Sequence, residues 1–505
     1  MAKKRKAFGP VVGLDIGSRW IKAVEVRPSR DGATITGIGY EPTPQGAVVE
    51  DAILDSAAIA SAIKRLFSNS GISIKKVVSS VSGQSSVVVR IIDVPKMTEQ
   101  ELAETMKWEV ERHVPFPVSQ TVMDFQIVNR ASAPPDAQTM EVLLAVCQEE
   151  VVKKHIEALG AAKLAPQAIE VESVALPRSL IAGDPEAESH TTVAIAEIGN
   201  ESTKLCIYEN KTLVFPRSIP IAGGNLLRAL IDMMGMSEEE AEVALREHGS
   251  VDLSVLSGVA EPAPDAGRFA DQAEETQLGG FSSPFAAPEP PPAGSPFAPP
   301  SAAPEPPGGP EPPVVPPPIG FDLGDELISA APGAPQESVP EPPEAYVPEQ
   351  PGAAVFDLDD EDRRTQAPVF DLDEEPAAPQ ATEPAEPFAV ESPAQQDSGG
   401  SSAISSTIAP VLAELAAELK RSLDYYTGRY PDPVDALILS GGVSKLPGLA
   451  GYMEAMLGLP VSVGDPVSHL PMQAKRYGPE FLADISPVFS VCLGLALRDY
   501  AGGKG

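Results

Sequence analysis

The sequence predicts an α/β protein of two similarly built domains, with an extra α+β subdomain and a long disordered insert. Three observations lead there. Val11–Val26 reads VVGLDIGSRWIKAVEV and Val193–Tyr208 reads VAIAEIGNESTKLCIY, so an acid-tipped, glycine-turned hairpin is written twice. Between the copies, residues 87–159 carry their own set of strand and helix patterns. Finally, Val251–Gly400 holds 29 acidic residues against three basic ones, 32 of the 55 prolines and no lysine. Such a stretch cannot bury enough apolar surface to offset the entropy of ordering it. It carries −26 of the formal charge of −35, leaving −9 on the other 355 residues, which suffice for two domains with cores.

The elements follow in order. Val11–Leu14 and Ile21–Val26 flank the first acid turn, and Thr34–Tyr40 continues as a third strand after Asp31-Gly32. Ile59, Ile63 and Leu66 place a helix near Ser56–Phe67. Lys76–Val81 and Val87–Val94 are β-branched runs, the second closed by Pro95. Thr98 opens an amphipathic helix, with Glu101 completing a capping box and Leu102, Met106 and Val110 as its buried stripe, and the HVPFP run stops it at Pro115. Strands at Val122–Val128 and Met140–Cys147 and a helix at Glu150–Leu159 complete the subdomain. After the second hairpin come a strand Thr212–Ser218, a Gly223-Gly224 turn, and helices Asn225–Met234 and Glu238–Glu247. Beyond the insert, Ile408, Leu412, Leu415, Leu419 and Leu423 are spaced for one long helix. Ala436–Leu439 is a short buried strand running into SGGVSKLPGL, and a closing helix covers Val488–Tyr500. The domain reading is a basic tail (1–10), a first main lobe (11–86 and 160–188), the subdomain (87–159), a second domain split by the insert (189–250 and 402–505), and the insert itself (251–401).

Composition excludes several classes. Cys147, Cys206 and Cys492 sit singly inside apolar runs, the pattern of small buried hydrophobes in a reducing compartment rather than a disulfide or metal framework. No apolar run reads as long enough to span a bilayer and no secretory segment is present, so the expected location is cytoplasmic. The Lys3–Lys6 cluster reads as a solvated tail, with a weak contact to anionic lipid as the alternative. The acidic balance and the lack of a basic, aromatic-laced surface argue against nucleic acid. None of His113, His155, His190, His248 and His469 has a second ligand or base at useful spacing.

A glycine turn between strands lets the backbone approach a phosphate and aim N–H groups at it, and an acid ending the first strand can hold Mg²⁺ through water. One such turn is explained equally well as an ordinary tight turn. Two, followed by a Gly-Gly helix start and a late Ser-Gly-Gly, fit a two-sided clamp on a polyphosphate. The order Asp-Ile-Gly, Glu-Ile-Gly, Gly-Gly, AEVALREHG, LSGGVSKLPGL resembles the actin-like ATPase superfamily, which includes sugar kinases, heat-shock chaperones and the cell-division protein FtsA. The runs LDIGSRWIKAVEV, VPKMTEQELAETMKWEVERHVPFP, EIGNESTKL and LSGGVSKLPGLAGYMEAMLGLPV are most similar to the PilM family, the cytoplasmic actin-like component of the type IV pilus machine.

That resemblance implies an actin-like (ribonuclease H-like) fold that binds ATP with Mg²⁺. By position it implies a first phosphate loop at Asp15, Gly17, Ser18 and Lys22 and a second at Glu197, Gly199, Asn200, Ser202 and Thr203. Gly223 and Gly224 would lie by the connecting turn, Glu242 and Arg246 near the ribose, and Gly441, Gly442 and Lys445 beside the adenine. Asp15 and Glu197 would face Mg²⁺ through water. Two departures bear on turnover. Glu197 stands for the usual Asp, and Lys204 stands where hydrolytic relatives carry an acid; a lysine cannot serve there as a carboxylate base. ATP binding with slow or no hydrolysis follows.

The resemblance also places the partner, the short N-terminal cytoplasmic tail of a PilN-like inner-membrane protein, in a groove beside the subdomain, with Trp108, Val114 and Phe116 as contacts and plain core packing as the competing reading. The membrane is then reached only indirectly. In the insert FDL recurs at Phe321, Phe356 and Phe370, each followed by acids, and SPFA at Ser283 and Ser295; these read as docking motifs for other pilus components or as drift. An FtsA-like filament former is the alternative function, although this chain stops at RDYAGGKG without an amphipathic tail; self-association is left open. A sugar-kinase-type phosphotransferase would need a substrate-side aspartate that no stretch supplies.

Overall fold

The computed structural model describes residues 9–30, 32–128, 130, 137–251, 398–474 and 477–501. The basic tail, the FDL and SPFA repeats and nearly all of the acidic Pro-rich stretch lie outside them.

In the first lobe β1 (Val11–Ile16), β2 (Trp20–Ser29) and β3 (Gly32–Pro42) form an antiparallel meander. A small ladder of β4 (Val48–Val49) and β5 (Ala52–Ile53) leads to α1 (Ser56–Ser70). Asp55 caps that helix by accepting from the Ala57 and Ala58 amides, and Gly71, at φ 69°, ends it. β6 (Lys76–Val81) returns parallel to β1.

The subdomain leaves here. β7 (Val87–Pro95), α2 (Glu99–His113), β8 (Thr121–Val128) and β9 (Thr139–Gln148) give a three-stranded antiparallel sheet, order β7-β9-β8, with α2 on one face. The capping box closes reciprocally: the Thr98 amide donates to Glu101 Oε2 at 2.9 Å and the Glu101 amide to Thr98 Oγ1 at 3.3 Å. Leu102, Met106 and Val110 then pack on Ile92, Val94, Val142, Leu144 and Val146.

The chain re-enters the first lobe through α3 (Glu149–Ala161) and β10 (Ala165–Val171), which completes the sheet in the order β10-β6-β1-β2-β3. α4 (Glu172–Leu180) and the short α5 (Pro185–Ser189) lead to the second lobe. There β11 (Thr192–Ile198), β12 (Thr203–Glu209) and β13 (Thr212–Ile219) repeat the meander, followed by α6 (Gly223–Met234), α7 (Glu238–His248) and α8 (Ser398–Arg429). β14 (Ala436–Ser440), α9 (Leu449–Leu457) and β15 (Val461–Val463) give the order β13-β12-β11-β14-β15. Each sheet is therefore a meander with two parallel strands added beside its first strand. α10 (Pro479–Ile485), α11 (Ser490–Ala496) and α12 (Arg498–Ala501) close the described chain.

Two expectations need correction. The closing helix Val488–Tyr500 is broken: a 3₁₀ turn at Ser486–Phe489 precedes α11, and the chain leaves helical geometry at Leu497 before α12. Every residue of α11 is buried, so no polar face marks its ends in the sequence. The insert bounds also shift. Val251 is buried with its amide donating to the Pro447 carbonyl at 2.8 Å, and α8 starts at Ser398. Within Ser401–Arg429 an 18-residue window reaches a mean hydropathy of 1.2, enough for a membrane span by length and composition alone. Its apolar side is spent on the core instead: Ile404, Ile408, Leu412, Leu415, Leu419, Leu423 and Tyr426 are all buried there.

α11 threads between β1 and α4 at backbone distance. A Cβ on Gly13 would collide with the Cys492 carbonyl and sit 2.7 Å from the Ala496 amide, and one on Gly494 would collide with the Ala175 carbonyl. Gly13→Ala or Gly494→Ala is expected to destabilise the fold by about 3 kcal/mol, because backbone cannot yield as a side chain does. Chemical denaturation measures it; a loss below about 1 kcal/mol contradicts the close packing.

Candidate functional site

The two hairpins place the same groups in the same register. Asp15 lies opposite Lys22 across β1 and β2, and Glu197 opposite Lys204 across β11 and β12. Each turn closes alike, the Gly17 amide donating to the Trp20 carbonyl and the Gly199 amide to the Ser202 carbonyl, both at 3.1 Å. The tips meet between the lobes, where Asn200 Nδ2 donates to Ser18 Oγ at 3.1 Å.

Around the second turn the backbone is drawn in tightly. The Gly223 and Gly224 amides, opening α6, donate to the Gly199 and Asn200 carbonyls at 3.0 and 2.9 Å. Gly441 adopts φ 85°, and a Cβ there would meet the Ile198 carbonyl and lie 3.0 Å from Glu197 Oε1. Buried Thr203 ties the turn back, its Oγ1 donating to the Ile221 carbonyl at 2.6 Å. The amides of Gly17, Gly199, Gly223 and Gly224 are engaged within the protein. The groups at the tips are Ser18, Arg19, Asn200 and Glu201.

Beneath the tips lies a buried charge cluster. Lys22 Nζ is 2.6 Å from Asp15 Oδ2, while Lys204 Nζ is 2.8 Å from Oε2 of Glu172, at the start of α4. Burial alone would lower both ammonium groups, but Asp15 and Glu197 raise Lys22, and Glu172 and Glu197 raise Lys204. Burial pushes the Glu172 carboxyl up to about 7; Asp15, Glu197 and Asp51 add to this against the pull of Lys204. Burial likewise raises Glu197, opposed by Lys204 and Lys22. Nearby, His155 Nε2 is 2.8 Å from Ser79 Oγ, and burial lowers the imidazole to about 4, which keeps it neutral. Glu172 and Asp51 were missed in the sequence; the only signal was the Glu-Val-Glu ending of the β10 run. Among the described residues no group of three or more His, Cys, Asp or Glu could hold a metal ion directly.

The family model described as type IV pilus assembly protein PilM matches residues 13–262, about half of the chain, and that described as cell division protein FtsA matches residues 194–486. The chain belongs to the PilM family. A solved "PilM-PilN type IV pilus biogenesis complex" is 22% identical, with 97% of this chain and 98% of that chain covered, at a TM-score of 0.62. The fold is actin-like. Ethanolamine utilization protein EutJ from Carboxydothermus hydrogenoformans is 10% identical over 98% of this chain and 91% of its own, at a TM-score of 0.43. MreB 5 of Spiroplasma citri bound to AMPPNP is 11% identical over 99% and 98%, at 0.39.

The remaining expected residues are distributed unevenly over this PilM-family chain. Glu242 of α7 pairs with Arg19, which also reaches Glu238 at 3.1 Å, so the first turn is tied to the second lobe again. Arg246 points outward and pairs with Glu247 at 3.3 Å. Gly442 opens the 3₁₀ turn Gly442–Lys445, whose lysine is 2.9 Å from Asp484 of α10. A cavity of about 260 Å³ lies at the far end of β11, lined by Ile181, His190, Val193, Tyr208 and Lys211, away from the turns. On α2, Trp108 is 72% exposed, so the core reading fails for it, whereas Val114 and Phe116 are half-buried against the subdomain core.

The raised carboxyl of Glu172 makes stability pH-dependent. Folded, it titrates at about 7 against an ordinary 4.5, so the folded state holds a proton that the unfolded chain has released. Its contribution is full below pH 4.5 and is lost as the pH rises through 7. The stability of the parent relative to Glu172→Gln is expected to fall by about 2 kcal/mol between pH 5 and pH 8. Parallel denaturation curves over that range would contradict it.

Proposed function

We propose that this PilM-family protein is an ATP-binding adaptor of the type IV pilus inner-membrane platform, working at the cytoplasmic face of the membrane. Its two lobes close on Mg·ATP, and the groove beside the subdomain takes the N-terminal cytoplasmic tail of a PilN-like membrane protein in a nucleotide-dependent way. The observation that carries the reading is the meeting of the duplicated turns, Asn200 on Ser18, directly above the half-buried lysines. Ser18, Asn200, Ser202 and Thr203 would border the phosphates, with Gly223 and Gly224 shaping the approach. Glu242 and Arg246 would lie toward the ribose, and Gly441, Gly442 and Lys445 toward the adenine. Mg²⁺, held through water by Asp15 and Glu197, would neutralise phosphate charge. Support for the partner comes from the PilM-PilN complex, which has this fold.

Hydrolysis would be slow or absent. Lys204 is bound to Glu172 and offers no base for an attacking water. The FtsA match favours a second reading, a filament-forming scaffold, in which the same cleft would govern self-association. The insert would recruit further pilus components in either case.

Titration with Mg·ATP, read from Trp20 at the first turn, should saturate, and Asp15→Ala should weaken binding at least about tenfold, the equivalent of about 1.4 kcal/mol. Trp108→Ala should weaken a PilN-like tail peptide by about tenfold or more while leaving ATP binding unchanged, since exposed tryptophans commonly anchor interfaces. No ATP binding would sink the whole reading. Rapid protein-dependent phosphate release would sink the claim of slow turnover alone.

A further inference from the structure

The subdomain is covalently part of the first lobe yet is fastened to the second. Its chain enters from β6 and leaves into α3, both in the first lobe. A buried anchor of that fastening is Arg130, just beyond β8, whose side chain is 4% exposed. The guanidinium reaches across to the second lobe. Nε pairs with Glu141 of β9, Nη1 pairs with Glu209 at the end of β12, and Nη2 donates to the Val214 carbonyl of β13 at 2.9 Å. The Tyr430 ring stacks on it, 3.8 Å from Cζ. Tyr430 Oη donates to Glu141 at 3.1 Å, and Tyr426 Oη, from α8, donates to Glu209 at 2.9 Å. Around this centre Arg429 pairs with Asp93 at 2.8 Å, and Gln84 donates to Ser218 at 3.2 Å.

Burial makes such a network all-or-none. A guanidinium with every edge engaged and two carboxylates each held by a tyrosine cannot slide by an ångström without stranding a charge. The subdomain's other attachment is to the first lobe, where the Gln148 amide donates to the Ser86 carbonyl at 3.0 Å and α3 packs on β8 and β9. β12 supplies the link to the cleft: it starts at Thr203 beside the second turn and ends at Glu209 in the joint.

We infer that Arg130 is a positioning residue that locks the subdomain to the second lobe, so that lobe closure is converted into a change in the groove between the subdomain and the first lobe. The inference rests on the proposed nucleotide-dependent adaptor and adds the route by which nucleotide reaches the partner. It distinguishes a structural salt bridge from a coupling one, because coupling can be lost while each ligand still binds.

The test measures the affinity of the full chain for a fluorescein-labelled synthetic PilN-like tail peptide with and without saturating Mg·ATP. In the parent chain the two affinities should differ by about fivefold or more. In Arg130→Met the ratio should fall to about one, with Mg·ATP alone and peptide alone each binding within about twofold of the parent. Tyr426→Phe keeps the ring and removes one hydroxyl. It serves if Arg130→Met does not fold, and should lower the ratio by about half or more. A folded variant that keeps the parental ratio overturns the role of Arg130 and leaves the adaptor standing. A parental ratio of one overturns the nucleotide dependence and this inference together.

Discussion

Asp15, Glu172 and Glu197 are buried beside the half-buried Lys22 and Lys204 at the seam between the lobes, and most of the architecture can be read as the means of keeping those charges paired. Charge taken out of water is costly unless it is met at short range. That requirement fixes the register of both hairpins, since a shift of one residue along β2 or β12 would turn the lysine to the opposite face of the sheet. It also demands that the second lobe stay against the first, because Lys204 of β12 finds its carboxylate on Glu172, beyond the first-lobe strand β10. The glycines make this approach sterically feasible. Gly441 at φ 85° and Gly223 against the Gly199 carbonyl bring backbone where any side chain would hold the loops apart.

The duplication is therefore not symmetric in use. Lys22 closes on the acid of its own hairpin, whereas Lys204, in the matching register, reaches out of its hairpin to the other lobe. A hairpin that gave its cation to an interlobe tie has less to give to chemistry. This asymmetry accounts for the longer Glu197 as well: with Lys204 drawn toward Glu172, the carboxylate between the two lysines remains buried and is held above the ordinary carboxylate range.

What could be read from the sequence follows the range of the interactions involved. The hairpins were legible because their signal is local and repeated: alternating apolar runs, an acid, a glycine turn, and a lysine seven positions on. The α2 stripe of Leu102, Met106 and Val110 was legible for the same reason. Asp51 and Glu172 were not, since each is an ordinary acid in its own segment and acquires meaning only from groups far along the chain. α11 was misplaced because a helix buried on every side has no period to find.

Arg130 is the extreme case, a single basic residue between strands whose four partners come from β9, β12, β13 and the residue that follows α8. Its position explains why α8 is where it is. A helix with the length and apolarity of a membrane span is retained in the core because its inner face is consumed by α6, α7 and β13, and its last turns deliver Tyr426 and Tyr430 to the guanidinium. The start of α8 meets the end of α7, where Ser401 Oγ donates to the His248 carbonyl at 3.0 Å and Ser250 meets Ser405 at 3.0 Å. Those two bonds pin the N-terminal turns of α8, and the tyrosines pin its C-terminal turns. A long acidic segment can then be spliced in before the helix without disturbing the joint that the helix completes, because the splice and the joint sit at opposite ends of one long helix.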